Sequence, residues 1–235
     1  MGNKGSIAAV VPAAGIGSRM QTNGVPKQYL QLHGTTVLEY SLRAMCGDPR
    51  IGEVFLALAA DDHYFAELAL SQINGVVITP VFGGANRAQS VLAGVQRAQQ
   101  QGYQWVAVHD AARPCLLASE LSAVLDAGIS HPAGALLGLP CSDTMKRVDP
   151  QLQVVTNVDR EQLWHALTPQ VFATDLLLHA LLQQDLDDPG LTDEAAAVQA
   201  LGRAPQMVMG QRSNLKITQP GDEYIAAAIL AARSS

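Results

Sequence analysis

Arg19 and Lys27 sit just beyond a glycine-bearing segment, VPAAGIGSRM (residues 11–20), in a chain of 235 residues. Gly15 and Gly17 let the backbone turn tightly and aim N–H groups at an anion. Ala13 and Ala14 are small enough for a flat base to approach the main chain. Two cations beside such a loop suit a triphosphate, because negative charge builds on the α-phosphate and the leaving pyrophosphate during nucleotidyl transfer. Pro26 fixes the position of Lys27. The glycines alone leave two other readings open, a nicotinamide-binding loop and a plain strand-to-helix turn. The full dinucleotide pattern wants Gly or Ala where Met20 stands, although Glu39 lies at a fitting distance. The phosphate-loop pattern GxxxxGK[ST] is absent.

Three further constellations carry chemistry. HDAARP (residues 109–114) puts Asp110 at the end of an apolar run, where a carboxylate can hold Mg²⁺ together with phosphate oxygens. The bland alternative for Asp110 is a cap on the next turn, and His109 reads as structural. FGGANRAQS (residues 82–90) brings Gly84 for close backbone approach, and Arg87 and Ser90 to face the same crevice from a helix's first turn. SDTMKR (residues 142–147) and VDREQLWHALTPQ (residues 158–170) supply Thr144, Arg160 and Thr168, types that bind an acceptor's phosphate. NLKIT (residues 214–218) reads as a short apolar strand, so Lys216 in it calls for an anionic partner. HxGH, HExxH, GxSxG and zinc-ligand spacings are missing.

The elements that must position these residues alternate between short apolar runs and amphipathic stretches. Residues 7–11, 54–59, 76–81, 105–109 and 135–140 read as buried strands. Residues 37–45, 61–72, 87–100 and 119–129 read as helices, with Asp61 or Asp62 capping the second. Further helices are expected near 174–184, 193–201 and 220–233. This alternation predicts an α/β fold with a mostly parallel sheet and helices on both faces, binding its ligands at the strands' carboxyl ends. Residues 143–158 break the pattern. Two β-like runs around the turn signal Asp149-Pro150 predict a projecting hairpin arm, spanning about 141–160, that cannot bury much alone and points to a second subunit. The chain reads as a single domain over residues 1–235.

Composition narrows the function. A hydrophobic share of 48% supports a sizeable core, and 15% charged residues excludes a disordered chain. A net charge of −6 argues against nucleic-acid or anionic-membrane binding, yet a few local cations suffice for a phosphorylated ligand. Three well-separated cysteines fit a reducing, cytoplasmic setting. The apolar run 7–11 stops at Pro12, too short for a signal peptide, and no run suits a membrane span.

Taken in order, VPAAGIGSRM, PKQYL, SVLAG, VHDAARP, DTMKR, VDR..LWHALTPQ, TDEA and NLKIT resemble the 2-C-methyl-D-erythritol 4-phosphate cytidylyltransferase family from about residue 7 to residue 230. The resemblance implies a Rossmann-like domain whose β-arm clasps a second subunit in a homodimer. It implies transfer of CMP from CTP to the polyol phosphate with Mg²⁺ in attendance. It assigns Gly15, Gly17 and Ser18 to the CTP phosphates, and Ala13, Ala14, Gly84 and Ser90 to cytosine. Ala111 joins the substrate-binding set, with Arg87. Arg19 and Lys27 would stabilise the transition state and Asp110 the metal. Arg160 and Lys216 would position the acceptor phosphate, with Thr144 and Arg160 arriving from the partner's arm and Thr168 in the same pocket. Two positions depart from the pattern: Ala85 stands where relatives often carry Asp, and Gln89 at a commonly acidic position. The nearest rival is ribitol-5-phosphate cytidylyltransferase, which shares the glycine loop and PKQ; DTMKR and LWHALTPQ favour the methylerythritol enzyme.

Overall fold

The computed structural model describes residues 5–15 and 25–233. Gly17, Ser18 and Arg19 therefore lie outside the described residues. Twelve strands and seven α-helices alternate along the described chain. They run β1 (Ile7–Pro12), the two-residue strands β2 (Gln31–Leu32) and β3 (Thr35–Thr36), α1 (Val37–Met45), β4 (Ile51–Leu58), α2 (Tyr64–Leu68), β5 (Gln72–Ile73), β6 (Val76–Phe82), α3 (Arg87–Gln100), β7 (Trp105–Val108) and α4 (Ala118–Ser130). There follow β8 (Ala135–Pro140), β9 (Met145–Val148), β10 (Val154–Val158), β11 (Trp164–Ala173), α5 (Thr174–Leu182), α6 (Glu194–Ala200), β12 (Gln206–Met209) and α7 (Asp222–Arg233).

An eight-stranded sheet in the order β12-β8-β11-β7-β1-β4-β6-β5 forms the centre. β7, β1, β4 and β6 are mutually parallel, as is β12 with β8, while β11 and β5 run antiparallel to their neighbours. The uninterrupted apolar run of β1 is explained by burial on both faces. Ile7, Ala9 and Val11 point into a core with Leu38 and Leu42 of α1 and Leu121 and Leu125 of α4. Ala8 and Val10 point the opposite way, onto Val91 and Val95 of α3 and Leu177 of α5. Gly94 lets α3 come close, since a Cβ there would lie 2.4 Å from Val10 Cγ1. A third, smaller cluster seats α7 through Ala226 against Val37, Ala112 and Ile217.

Several expectations need correction. The helix read over residues 61–72 shrinks to α2, because Ala69 turns left-handed and the chain then enters β5. Asp62 nevertheless accepts a hydrogen bond from the Phe65 N–H at 3.0 Å, whereas Asp61 caps nothing. NLKIT is a loop and not a strand. Ile217 donates its N–H to Ala112 O, so the segment runs beside the site without joining the sheet. β11 was not anticipated as a strand because it contains Pro169, which cannot donate to a ladder. The strand accommodates it at an irregularity in its β8 pairing between Ala166 and Gln170. No helix among the described residues is long and apolar enough to cross a membrane.

β9 and β10 pair antiparallel with each other and with no other described strand, forming the projecting arm. Asp149 builds its turn, accepting from the N–H groups of Gln151 and Gln153 through Oδ1. Val154, Val155 and Leu152 of the arm are exposed.

Candidate active site

The chain leaves β1 towards β4 and β6 on one side, then crosses back to β7 on the other. This makes β1 and β7 the point where strand order reverses, the usual ligand crevice of such sheets. A cleft of about 310 Å³ opens there, walled by Ala13, Ala14 and Gly15 after β1, Gly84 and Ala85 after β6, and Asp110 and Ala111 after β7. Lys27, Arg87, Ser90 and Lys216 line it as well. The three loops singled out in the sequence thus converge on one space.

The apolar wall is tightly set. A Cβ on Gly83 would lie 2.7 Å from Ala14 Cβ, so glycine is needed for the β1 and β6 loops to touch. Ser90 is buried and accepts from the Gly84 N–H while donating to Asn86 O. Ser41 donates to the carbonyl of Ala111 from α1. Gln28, in the short 3₁₀ turn Lys27–Tyr29, donates to the carbonyls of Ala13 (2.7 Å) and Gly15 (3.3 Å). It ties the lysine-bearing turn to the first glycine of the loop. Gln28 was passed over in the sequence; its signal was its place beside Lys27 in PKQY.

Asp110 is the only carboxylate among the described lining residues, and it lies amid three cations. Arg87 Nε is 2.9 Å from Oδ1, with Lys216 Nζ at 2.9 Å and Arg113 Nε at 3.3 Å from Oδ2. Burial pushes the Asp110 pKa up, but Arg87, Lys216 and Arg113 prevail and hold the carboxyl well below the usual carboxylate range. Arg87 also pairs with the buried Glu194 at 2.6 Å. Arg113 donates to Asn214 O at 2.7 Å. Neither Arg113 nor Glu194 was singled out beforehand. Arg113 sat in HDAARP and Glu194 in TDEA, and what identifies them is mutual pairing, which sequence does not display.

His109 is buried and structural, as expected. Its Nε2 lies 3.1 Å from the Arg113 carbonyl, which can only accept, so Nε2 carries the proton. Its Nδ1 then accepts from the Thr168 hydroxyl at 2.9 Å, and that hydroxyl accepts from the Asp110 N–H. Burial lowers the His109 pKa to about 4, which keeps the ring neutral. Thr168 is thereby placed beside Asp110, in a second cavity of about 200 Å³ that shares Arg87, Asp110 and Lys216 with the first. Two pockets therefore adjoin across one cluster of charges.

Thr144 and Arg160 are not brought into either cavity of their own subunit. Thr144 is exposed at the start of the arm, and Arg160 is exposed with its guanidinium on Ser142 O.

A doubly wound α/β sheet with small-residue loops and cations at its switch point, adjoining a second polar pocket, defines a nucleotide-binding protein of the nucleotidyltransferase type. The family profile for IspD, 2-C-methyl-D-erythritol 4-phosphate cytidylyltransferase, matches residues 7–232. The chain belongs to that family. A relative from Vibrio vulnificus (strain CMCP6), named 2-C-methyl-D-erythritol 4-phosphate cytidylyltransferase, is 45% identical over 223 residues, 94% of this chain and 93% of the relative. A solved structure of 4-diphosphocytidyl-2C-methyl-D-erythritol synthase superposes with a TM-score of 0.82 at 32% identity, covering 97% of this chain and 100% of that one. The 2-C-methyl-D-erythritol 4-phosphate cytidylyltransferase from Thermus thermophilus gives 0.78 at 30% identity, covering 95% and 98%.

Proposed function

We infer that this chain transfers CMP from CTP to 2-C-methyl-D-erythritol 4-phosphate, giving 4-diphosphocytidyl-2-C-methyl-D-erythritol and pyrophosphate. The observation that carries this reading is the pair of adjoining pockets meeting at Asp110, Arg87 and Lys216. One pocket has the small-residue walls a pyrimidine and its phosphates need. The other offers Arg113, Thr168 and Lys216 to a phosphorylated acceptor. An oxygen of the acceptor phosphate attacks the α-phosphorus of CTP, a P–O bond forms, and the bond to the β-phosphate oxygen breaks as pyrophosphate leaves. Lys27 and Lys216 hold positive charge where negative charge develops, the largest single lever available to such a site. Arg19 is assigned the same task by resemblance.

Magnesium dependence is part of the proposal. Asp110 fits the ion. It is ionised and lies in the cleft, and Mg²⁺ on a triphosphate needs only one or two protein carboxylates. Bound there, Mg²⁺ would neutralise phosphate charge and polarise the reacting centre. Lys216, whose side chain is 36% exposed, is the partner of Asp110 best able to turn towards substrate.

The reading includes a homodimer in which Thr144 and Arg160 of each arm serve the neighbouring acceptor pocket. It is supported by the exposed apolar residues of the arm and by the absence of both side chains from the linings of their own clefts. A cytoplasmic setting is supported by three free cysteines, Cys46, Cys115 and Cys141. The test is incubation with CTP and Mg²⁺ while following pyrophosphate. Release with 2-C-methyl-D-erythritol 4-phosphate and little with ribitol 5-phosphate supports the reading, and the reverse preference overturns it.

A further inference from the structure

We propose that Gln89 is a positioning residue for nucleotide binding, presetting the loop between β6 and α3 by bridging it to the connection between α5 and α6. The proposal rests on the CTP reading above. Gln89 reaches back over the loop from the first turn of α3. Its Oε1 accepts from the Ala85 N–H at 2.9 Å, and its Nε2 donates to Asp187 Oδ1 at 2.9 Å. Asn86, which caps α3, donates to the same Asp187 oxygen at 2.9 Å and to Leu186 O at 2.8 Å. Asp187 is therefore a shared anchor for both ends of the bridge.

The packing is as specific as the hydrogen bonds. A Cβ on Gly84 would fall 2.2 Å from Gln89 Cβ and 2.6 Å from its Oε1, so the glutamine lies directly against Gly84. Gly84 and Ala85 both line the cleft. Their two N–H groups are already satisfied by side chains of α3, Ser90 for Gly84 and Gln89 for Ala85. A loop with its amides so engaged meets a nucleotide in one preset shape and has little ordering left to do on binding.

Only a carboxamide fits both contacts. An ionised carboxylate at position 89 can accept from Ala85 but cannot donate to Asp187, and it would face that residue with like charge. The neutral Gln89 is thus matched to Asp187, which accounts for the departure at position 89; nothing in the structure explains the one at Ala85, whose main-chain N–H alone takes part.

The test is Gln89→Leu, which keeps bulk and removes both hydrogen bonds, alongside Gln89→Glu. Steady-state kinetics and direct CTP titration by calorimetry are measured for each, with thermal melting as a check on folding. The expected result is a rise in Kd and KM for CTP of roughly tenfold, about what one or two ordinary hydrogen bonds account for. kcat should stay within about twofold and KM for the acceptor should not move. Asp187→Ala should give a similar rise, and combining it with Gln89→Leu should add little, because both break one bridge. Unchanged CTP affinity in a folded Gln89→Leu variant, or a loss confined to kcat, overturns the proposal. A parent protein that binds no CTP overturns the functional reading beneath it, a distinct outcome.

Discussion

Lys27 donates its ammonium to the carbonyl of Ile217 at 2.8 Å, and Ile217 is the residue after Lys216. The two lysines of the cleft are thus fastened to each other through the main chain, although 189 positions separate Lys27 from Lys216. Lys27 holds in place the segment from which Lys216 reaches Asp110.

Lys27→Ala should therefore lower kcat by roughly 10²-fold or more while raising KM for CTP much less, since its charge matters most when negative charge has developed. Initial rates against CTP concentration check this. A near-normal kcat with weakened CTP binding would confine Lys27 to the ground state.

Activity should vanish with EDTA and return with Mg²⁺, and Asp110→Asn should shift the Mg²⁺ activation curve to higher concentration. The substitution also leaves Arg87, Arg113 and Lys216 around a neutral group, so its melting temperature should fall. An Asn variant that needs no more Mg²⁺ than the parent would leave Asp110 with a purely structural part.

Sharing of sites across a dimer has a direct test. Lys27→Ala and Arg160→Ala variants, each expected to have greatly reduced activity, are mixed under conditions that exchange subunits. If Arg160 serves the neighbour, one site of each mixed dimer carries both lesions and the other neither, and activity returns. Continued silence, with mixed dimers shown to have formed, would assign each Arg160 to its own subunit.

The buried His109 predicts a pH effect on stability. Its pKa falls from an unfolded value of about 6.5 to about 4, so the unfolded chain binds the extra proton throughout that interval. Stability should decline as pH drops from about 6.5 to about 4, by on the order of 3 kcal/mol, and His109 should add no further loss below that. Urea midpoints at the two ends of this window check it. His109→Gln should flatten that part of the profile, and an unchanged slope would show that other groups carry it.

Much of the positioning framework was legible because burial on both faces writes itself as plain apolar runs. Val37–Met45, Arg87–Gln100 and Ala135–Pro140 appear in the structure with the bounds their patterns implied. What stayed hidden is non-local. Pro169 masked β11, since the pairing irregularity that admits a proline involves a partner strand some thirty residues away. Arg113 and Glu194 were silent because a buried charge is recognised by its counter-charge, and Glu194 meets Arg87 only in the folded chain, where α6 packs on α5. The apolar neighbours of Lys216 suggest a strand, and the structure has a loop. Lys216 has the anionic partner expected of it, Asp110.

β8 and β11 are neighbours in the central sheet, and the arm grows from their ends: Pro140 pairs with Trp164, and the Cys141 N–H donates to Leu163 O at 2.9 Å. The same β11 carries Thr168, four residues from Trp164, into contact with His109 and Asp110. The root of the arm and the Thr168 hydroxyl thus share one strand, and the break in its pairing with β8, between Ala166 and Gln170, falls where Thr168 turns to His109 and Asp110.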